Sequence, residues 1–146
     1  ELKPDCLEDI IAGVSLYRPG PMDQIPRYIA NKKDMEHAVY THDSLKPILA
    51  VTYGCMVYQE QVMKIASYMA DYSLGEADLL RRAMGKKNFA IMRENREKFI
   101  QRAVENNYTE EKADEIFELI DKFAGYGFNK SHSVAYAMIS YWTAYL

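Results

Sequence analysis

The stretch Tyr72–Asn88, YSLGEADLLRRAMGKKN, sets the architecture of the chain. Ser73 and Glu76 stand three apart in SLGE, the spacing of a capping box, in which each side chain satisfies the other's backbone amide. The box predicts a helix from there to Met84, with Gly85 as its stop. A second helix is expected from about Asn88 to Asn106, with Met92, Phe99 and Ala103 along one stripe. On the N-terminal side, Val62, Ile65, Ala66 and Met69 recur at helical spacing from Gln59 onward. On the C-terminal side, Thr109 followed by Glu110 and Glu111 opens a further helix. That helix turns Ala113, Ile116, Phe117, Ile120 and Phe123 inward, and GYG at 125–127 ends it. Ser131 or Ser133 is expected to cap a last helix. The fold class is therefore mainly α.

The N-terminal third reads differently. Leu7 to Ala12 and Asp23 to Asn31 suit short helices, and His42 to Leu49 suits a turn with one helical piece. Between the first two, YRPGPM (17–22) holds two prolines and a glycine in four residues, which forbids helix and favours a rigid turn. Val51 to Tyr58 is the one strand-like stretch. The whole is a loop-rich N-terminal part followed by a helical bundle.

Composition narrows the function classes. The chain has 146 residues, about half of them apolar, and a net charge of -3. No global positive field marks it for nucleic acid, so any anion site depends on local clustering. Cys6 and Cys55 form no CxxC pair, which argues against a zinc or disulfide framework. His37 and His42 are five apart, a poor metal pair, and read as surface residues. No signal peptide or membrane-spanning run appears. Both ends read as internal. There is no initiator methionine, and VAYAMISYWTAYL (134–146) is apolar almost all round, as in a helix with a covered surface.

Three stretches are suited to binding chemistry. LLRRAMGKK (79–87) places Arg81, Arg82, Lys86 and Lys87 around a helix end. If Gly85 interrupts the helix, the turn can fold the lysines back toward the arginines. Arginine offers forked donors and lysine a compact charge, a combination suited to polyphosphate. The N-terminal amides of the following helix lie beside the same lysines. The competing reading is plain dipole complementarity, since cations are favoured in any last helical turn. GYGFNKSHS (125–133) joins two helices with small polar donors and suits either an anion site or an ordinary cap. YRPGPM fixes Arg18 in one pose, as a positioned cation or as part of a stiff turn. Glu60, in YQEQVM, has a sufficient explanation in the helix dipole. No DxD occurs, so no two-metal site is expected, and no catalytic or metal-binding residue is assigned.

Taken together, SLYRPGPM, TYGCMVYQEQVM, YSLGEADLLRRAMGKK and KFAGYGFNKSHSVAYAMISYWTAYL resemble the α subunit of bacterial DNA polymerase III, the C-family replicase. The resemblance runs from Leu7 to Leu146. It implies an internal fragment of a DNA-directed DNA polymerase, a nucleotidyltransferase. Residues 1–50 would connect palm to fingers, and residues 51–146 would form part of the fingers. Arg81 and Arg82, with Lys86 and Lys87, would hold the triphosphate of the incoming dNTP. Asn129, Lys130, Ser131 and His132 would line the nascent base pair. Arg18 would either touch phosphate or brace the fold. Mg²⁺ would belong to palm carboxylates absent from this chain, leaving the fragment without cofactor and inactive by itself. Primer–template DNA, dNTP and other replicase subunits are the implied partners, in the cytoplasm and away from membranes. Two other classes remain open on the residues alone: a stand-alone helical module for nucleotides or phosphorylated ligands, and an interaction domain docking through its apolar last helix.

Overall fold

The computed structural model describes residues 2–19, 21–124 and 129–146. Among the described residues it contains eight α-helices and no strand. They are α1 (Leu7–Leu16), α2 (Ile25–Lys33), α3 (Lys46–Leu49), α4 (Gln59–Ala70), α5 (Leu74–Lys86), α6 (Phe89–Glu105), α7 (Glu110–Ala124) and α8 (Lys130–Tyr145). Short 3-10 turns at Pro21–Gln24, Asp43–Leu45 and Ala50–Thr52 fill the N-terminal third. The chain divides into two compact units, one from residues 1–59 with 128–146, the other from residues 60–127.

In the first unit α1 packs on α8. Ile11, Ala12 and Leu16 of α1, Tyr28 of α2, Cys55, Val57, Tyr58 and Ala137 of α8 form its core. Burial of Cys55 pushes its thiol up to about 11, so it behaves as a small apolar side chain. Beside this core lies a buried carboxylate, Asp9. Its Oδ1 accepts from the hydroxyls of Tyr28 at 2.9 Å and Tyr53 at 3.3 Å, and its Oδ2 from Lys32 Nζ at 2.5 Å. Burial alone would raise its pKa. The bonds from Lys32, the Asp5 amide and Tyr28 prevail and hold the carboxyl well below the usual range. Ser15 and Ser133, 118 residues apart, are both buried and join α1 to α8 through their hydroxyls.

The strand expected over Val51 to Tyr58 is absent. Local hydrogen bonds replace the ladder: Tyr53 N donates to Ala50 O, Gly54 N to Leu49 O, and Cys55 N to Thr52 O. The Thr52 hydroxyl donates to Cys55 O at 2.6 Å. Tyr53 and Gly54 both have positive φ, at 50° and 81°. A Cβ on Gly54 would sit 2.9 Å from Val39 O, so this turn requires glycine.

In the second unit α5, α6 and α7 pack together. The expected stripes are buried on α4, α6 and α7, and Ala77, Leu80, Ala83 and Met84 are buried on α5. Phe99 lies between Tyr72, at 6.4 Å between ring centroids, and Phe117, at 5.5 Å. Arg96 ties α6 to α7 by bonding Asp114 through Nε at 2.9 Å and Nη2 at 2.6 Å. Asn106 Nδ2 closes α6 onto Met69 O at 3.1 Å.

Helix starts follow the sequence reading except at α2, which begins at Ile25 after a 3-10 turn that takes in Asp23, and at α8. The capping box is present, with Ser73 N to Glu76 Oε2 at 2.9 Å and Glu76 N to Ser73 Oγ at 3.3 Å. Thr109 Oγ1 accepts from Lys112 N at 3.3 Å. For α8 the cap is Asn129, whose Oδ1 accepts from His132 N, and not Ser131 or Ser133. The Ser133 hydroxyl is committed to Ser15. α1 runs on past Ala12 to Leu16, because Ile11, Ala12 and Leu16 share one buried face. The stop expected at GYG lies outside the described residues. On α8, Ser133 and Ala137 are buried, while Tyr136, Ile139, Tyr141, Trp142 and Tyr145 are exposed.

Candidate functional site: the C-terminal end of α5

α5 carries the cation cluster, but its end differs from expectation. Gly85 lies inside the helix, and Lys87 takes the left-handed conformation at φ 51°. Lys87 N donates to Met84 O and Asn88 N to Ala83 O, the paired bonds of a Schellman ending. A Cβ on Gly85 would meet nothing within 4 Å, so no close contact demands glycine there. The lysines therefore do not fold back across a break. The unbroken helix sets Lys86 one turn after Arg82 on the same face.

Arg81 and Arg82 are organised by a residue the sequence reading passed over. Asp78 Oδ1 accepts from Arg81 Nε at 2.9 Å and Nη2 at 2.7 Å. Asp78 Oδ2 pairs with Arg82 Nε at 2.7 Å. The hydrogen bond from Arg81, aided by the charge of both arginines, holds the Asp78 carboxyl below its usual value. Arg82 remains 64% exposed in its side chain, and Lys86 and Lys87 are exposed. The i, i+3 and i, i+4 spacing of Asp78 to the arginines was the available sequence signal.

The junction of α5 and α6 concentrates two dipole effects. The carbonyl end of α5 favours the lysines. One residue after Lys87, Asn88 caps α6 by accepting from Ile91 N at 3.3 Å. The amide end of α6 thus begins beside the cations, and helix amide ends favour anions.

The other end of α5 is fastened to α6. Glu76 accepts from Arg102 Nη1 and Nη2 at 3.1 and 3.2 Å, and from Lys98 Nζ. Lys98 and Arg102 also lie over the Tyr72 ring, at 5.1 and 5.5 Å from its centroid. Bonds from Arg102 and then Lys98 hold Glu76 well below the usual carboxylate range. Burial pushes the Tyr72 hydroxyl up to about 12.

The remaining candidates lie in the other compact unit. Lys130 Nζ pairs with Glu8 at 3.0 Å and sits 5.3 Å from the Tyr58 ring centroid. His132 meets Tyr136 edge-on at 4.8 Å, and Ser131 and Asn129 are exposed. Gly127 and Phe128 of the same motif are outside the described residues. Arg18 Nε donates to Ser15 O at 3.2 Å, against the last turn of α1, and burial lowers its pKa. His37 is exposed beside Asp34, and His42 Nδ1 accepts from Ser44 N.

A mainly helical chain is consistent with a polymerase fingers type. The family model of the bacterial DNA polymerase III alpha subunit finger domain matches residues 1–107. Proteins named DNA polymerase III subunit alpha match nearly the whole chain. That of Rickettsia bellii is 57% identical over 99% of the chain, that of Xylella fastidiosa 57% over 100%, and that of Halalkalibacterium halodurans 55% over 100%. The chain belongs to the bacterial DNA polymerase III alpha subunit family. It spans only 12–13% of the length of these relatives.

Proposed function

We propose that this chain is the fingers portion of a DNA-directed DNA polymerase and that the α5–α6 junction positions the triphosphate of the incoming dNTP. The observation that carries this reading is the junction itself. Lys86 and Lys87 directly precede the amide end of α6, and one turn before them Arg81 and Arg82 are held side by side on one carboxylate. Arg81 and Arg82 would grip phosphate oxygens, with Lys86 and Lys87 adding charge. Neutralising and orienting a triphosphate is the contribution a fingers element makes to phosphoryl transfer. Residues 1–50 are read as the connection from the palm, and residues 51–146 as the fingers. Asn129, Lys130, Ser131 and His132 are assigned to the nascent base pair. Arg18 is read as a contact or a brace.

Mg²⁺ chemistry is assigned to carboxylates outside this chain. Among the described residues, Asp5, Cys6 and Asp9 bring ligand atoms within 4.8 Å of one another. Asp9 is already bound to Lys32, Tyr28 and Tyr53, so this group does not fit a polymerase metal pair. The isolated chain is therefore expected to lack primer extension. Primer–template DNA and other replicase subunits are the proposed partners, in the cytoplasm. No helix among the described residues is long and apolar enough to cross a membrane.

The test is steady-state incorporation by the full-length parent enzyme. Arg82→Ala should raise KM for dNTP and lower kcat/KM about ten- to a hundredfold, the loss of one charge-assisted contact worth about 1.5–3 kcal/mol. Its thermal midpoint should hold, because an exposed ion pair stabilises little. Dipole complementarity alone would leave the kinetics near normal. If Arg81→Ala and Arg82→Ala both keep kcat/KM within twofold, the triphosphate role is wrong.

A further inference from the structure

We propose that Asp78 is a positioning residue for this anion site, setting the two adjacent arginines for phosphate; the inference rests on the triphosphate reading above. Each carboxylate oxygen takes one arginine. Oδ1 holds Arg81 by Nε and Nη2, at 2.9 and 2.7 Å, and Oδ2 holds Arg82 by Nε at 2.7 Å. A guanidinium held along its Nε edge directs its far edge away from the anchor. Two donor groups are thereby presented next to each other at a helix end, with Lys86 one turn further on.

Asp78 has two opposing effects on a phosphate ligand. Its negative charge competes for the arginines and repels the ligand. Its bonds also order two long, flexible, like-charged side chains before the ligand arrives, and that ordering otherwise falls on binding. Two facts decide between them. The carboxylate charge is balanced by two arginines, with two lysines beyond. The site is also exposed, 31% at Asp78 and 64% at Arg82, so solvent and salt weaken the remaining repulsion. Pre-ordering rests on three short contacts of 2.7–2.9 Å to one carboxylate, which fix the direction of both guanidinium groups. The same exposure means that the ion pairs add little to folding stability. Asp78 is thus better explained by what it does to the arginines than by what it does to the helix.

The experiment is single-nucleotide incorporation by the full-length parent on a primer–template with one complementary dNTP. Asp78→Ala keeps helix propensity, alanine being the strongest helix former. It should raise KM for dNTP about three- to tenfold, the scale of ordering one or two long side chains, with the larger part of the loss in KM and not in kcat. Its thermal midpoint should match wild type. Should the alanine variant melt low, Asp78→Asn preserves shape and supplies the same KM comparison. In an Arg81→Ala/Arg82→Ala background, removing Asp78 should change nothing further. An unchanged KM overturns the proposal, and a lowered KM overturns it in favour of competition. A rise that persists in the double-arginine background also overturns it, because Asp78 would then act elsewhere. Loss of the triphosphate reading has a separate signature: the arginine variants themselves would be near wild type, which also removes the basis for Asp78.

Discussion

The two ends of α5 use the same kinds of charged residue for opposite purposes. At the N-terminal end, Glu76 serves as the capping-box acid and also receives Arg102 and Lys98 from α6. Both cations lie over Tyr72, so their charge is consumed within the unit. At the C-terminal end, Arg81 and Arg82 share the single carboxylate of Asp78, and Lys86 and Lys87 extend into solvent. One end fastens the helix to its neighbour through contacts between residues 22 and 26 apart. The other end pairs its charges only three and four residues apart and leaves its lysines exposed. Positioning a ligand needs both conditions: a fixed base and uncommitted charge at the tip.

Breaking the fixed base should give the largest stability effect. Glu76→Gln should lower the unfolding free energy of the chain by about 1–2 kcal/mol, allowing for partial exposure of the carboxylate. Urea denaturation measures this directly; an unchanged midpoint would show that the α5–α6 anchor carries no weight. The same variant has a pH signature. Folding lowers the Glu76 pKa from its ordinary value of 4.5. A carboxylate with a depressed folded pKa contributes stability above the unfolded value and loses it as pH falls through the folded one. Wild-type stability should therefore decline below about pH 5, and Glu76→Gln should flatten that decline. Asp9 and Asp78 are shifted in the same direction, so some slope should remain.

The cap alone is worth less. Ser73→Ala removes the oxygen that accepts from Glu76 N while leaving Lys98 and Arg102 in place. It should cost about 1 kcal/mol by the same denaturation assay. A loss as large as that of Glu76→Gln would mean that the cap, and not the bridge to α6, secures this end.

The smallest effect is expected at the tip. Lys87→Gly relieves a left-handed residue that carries a Cβ, partly offset by glycine's freedom in the unfolded chain, for a net gain of about 0.5 kcal/mol. In the parent enzyme the same variant should raise KM for dNTP modestly, since one proposed phosphate-side charge is gone. Gain in stability with loss of affinity would indicate that lysine is kept at this strained position for its charge.

The line between what was legible and what was not follows sequence separation. The capping box, the stripes of α4, α6 and α7, the Thr109 cap and the cation cluster all rest on residues three or four apart, whose neighbourhood a helix dictates. Two of the departures from expectation, at Gly85 and at Val51 to Tyr58, had local reasons with distant causes. Gly85 reads as a stop because glycine prefers left-handed geometry, yet the Schellman bonds place that geometry at Lys87, just before α6 begins. Val51 to Tyr58 has strand-like composition, but no partner strand exists among the described residues, and the segment satisfies its amides in a turn.

By itself, then, the amino-acid order determined that this chain is helical, where its amphipathic faces lie, and that four cations cluster near residue 84. Helix geometry converts those local spacings into neighbours without outside help. Only the tertiary structure decided that Glu76 finds Lys98 and Arg102, that Asp9 gathers Tyr28, Lys32 and Tyr53, and that Ser15 meets Ser133. A carboxylate or hydroxyl has several equally suitable partners along a sequence. Packing of the helices selects one set, because burial leaves a polar group stable only where its bonds are completed.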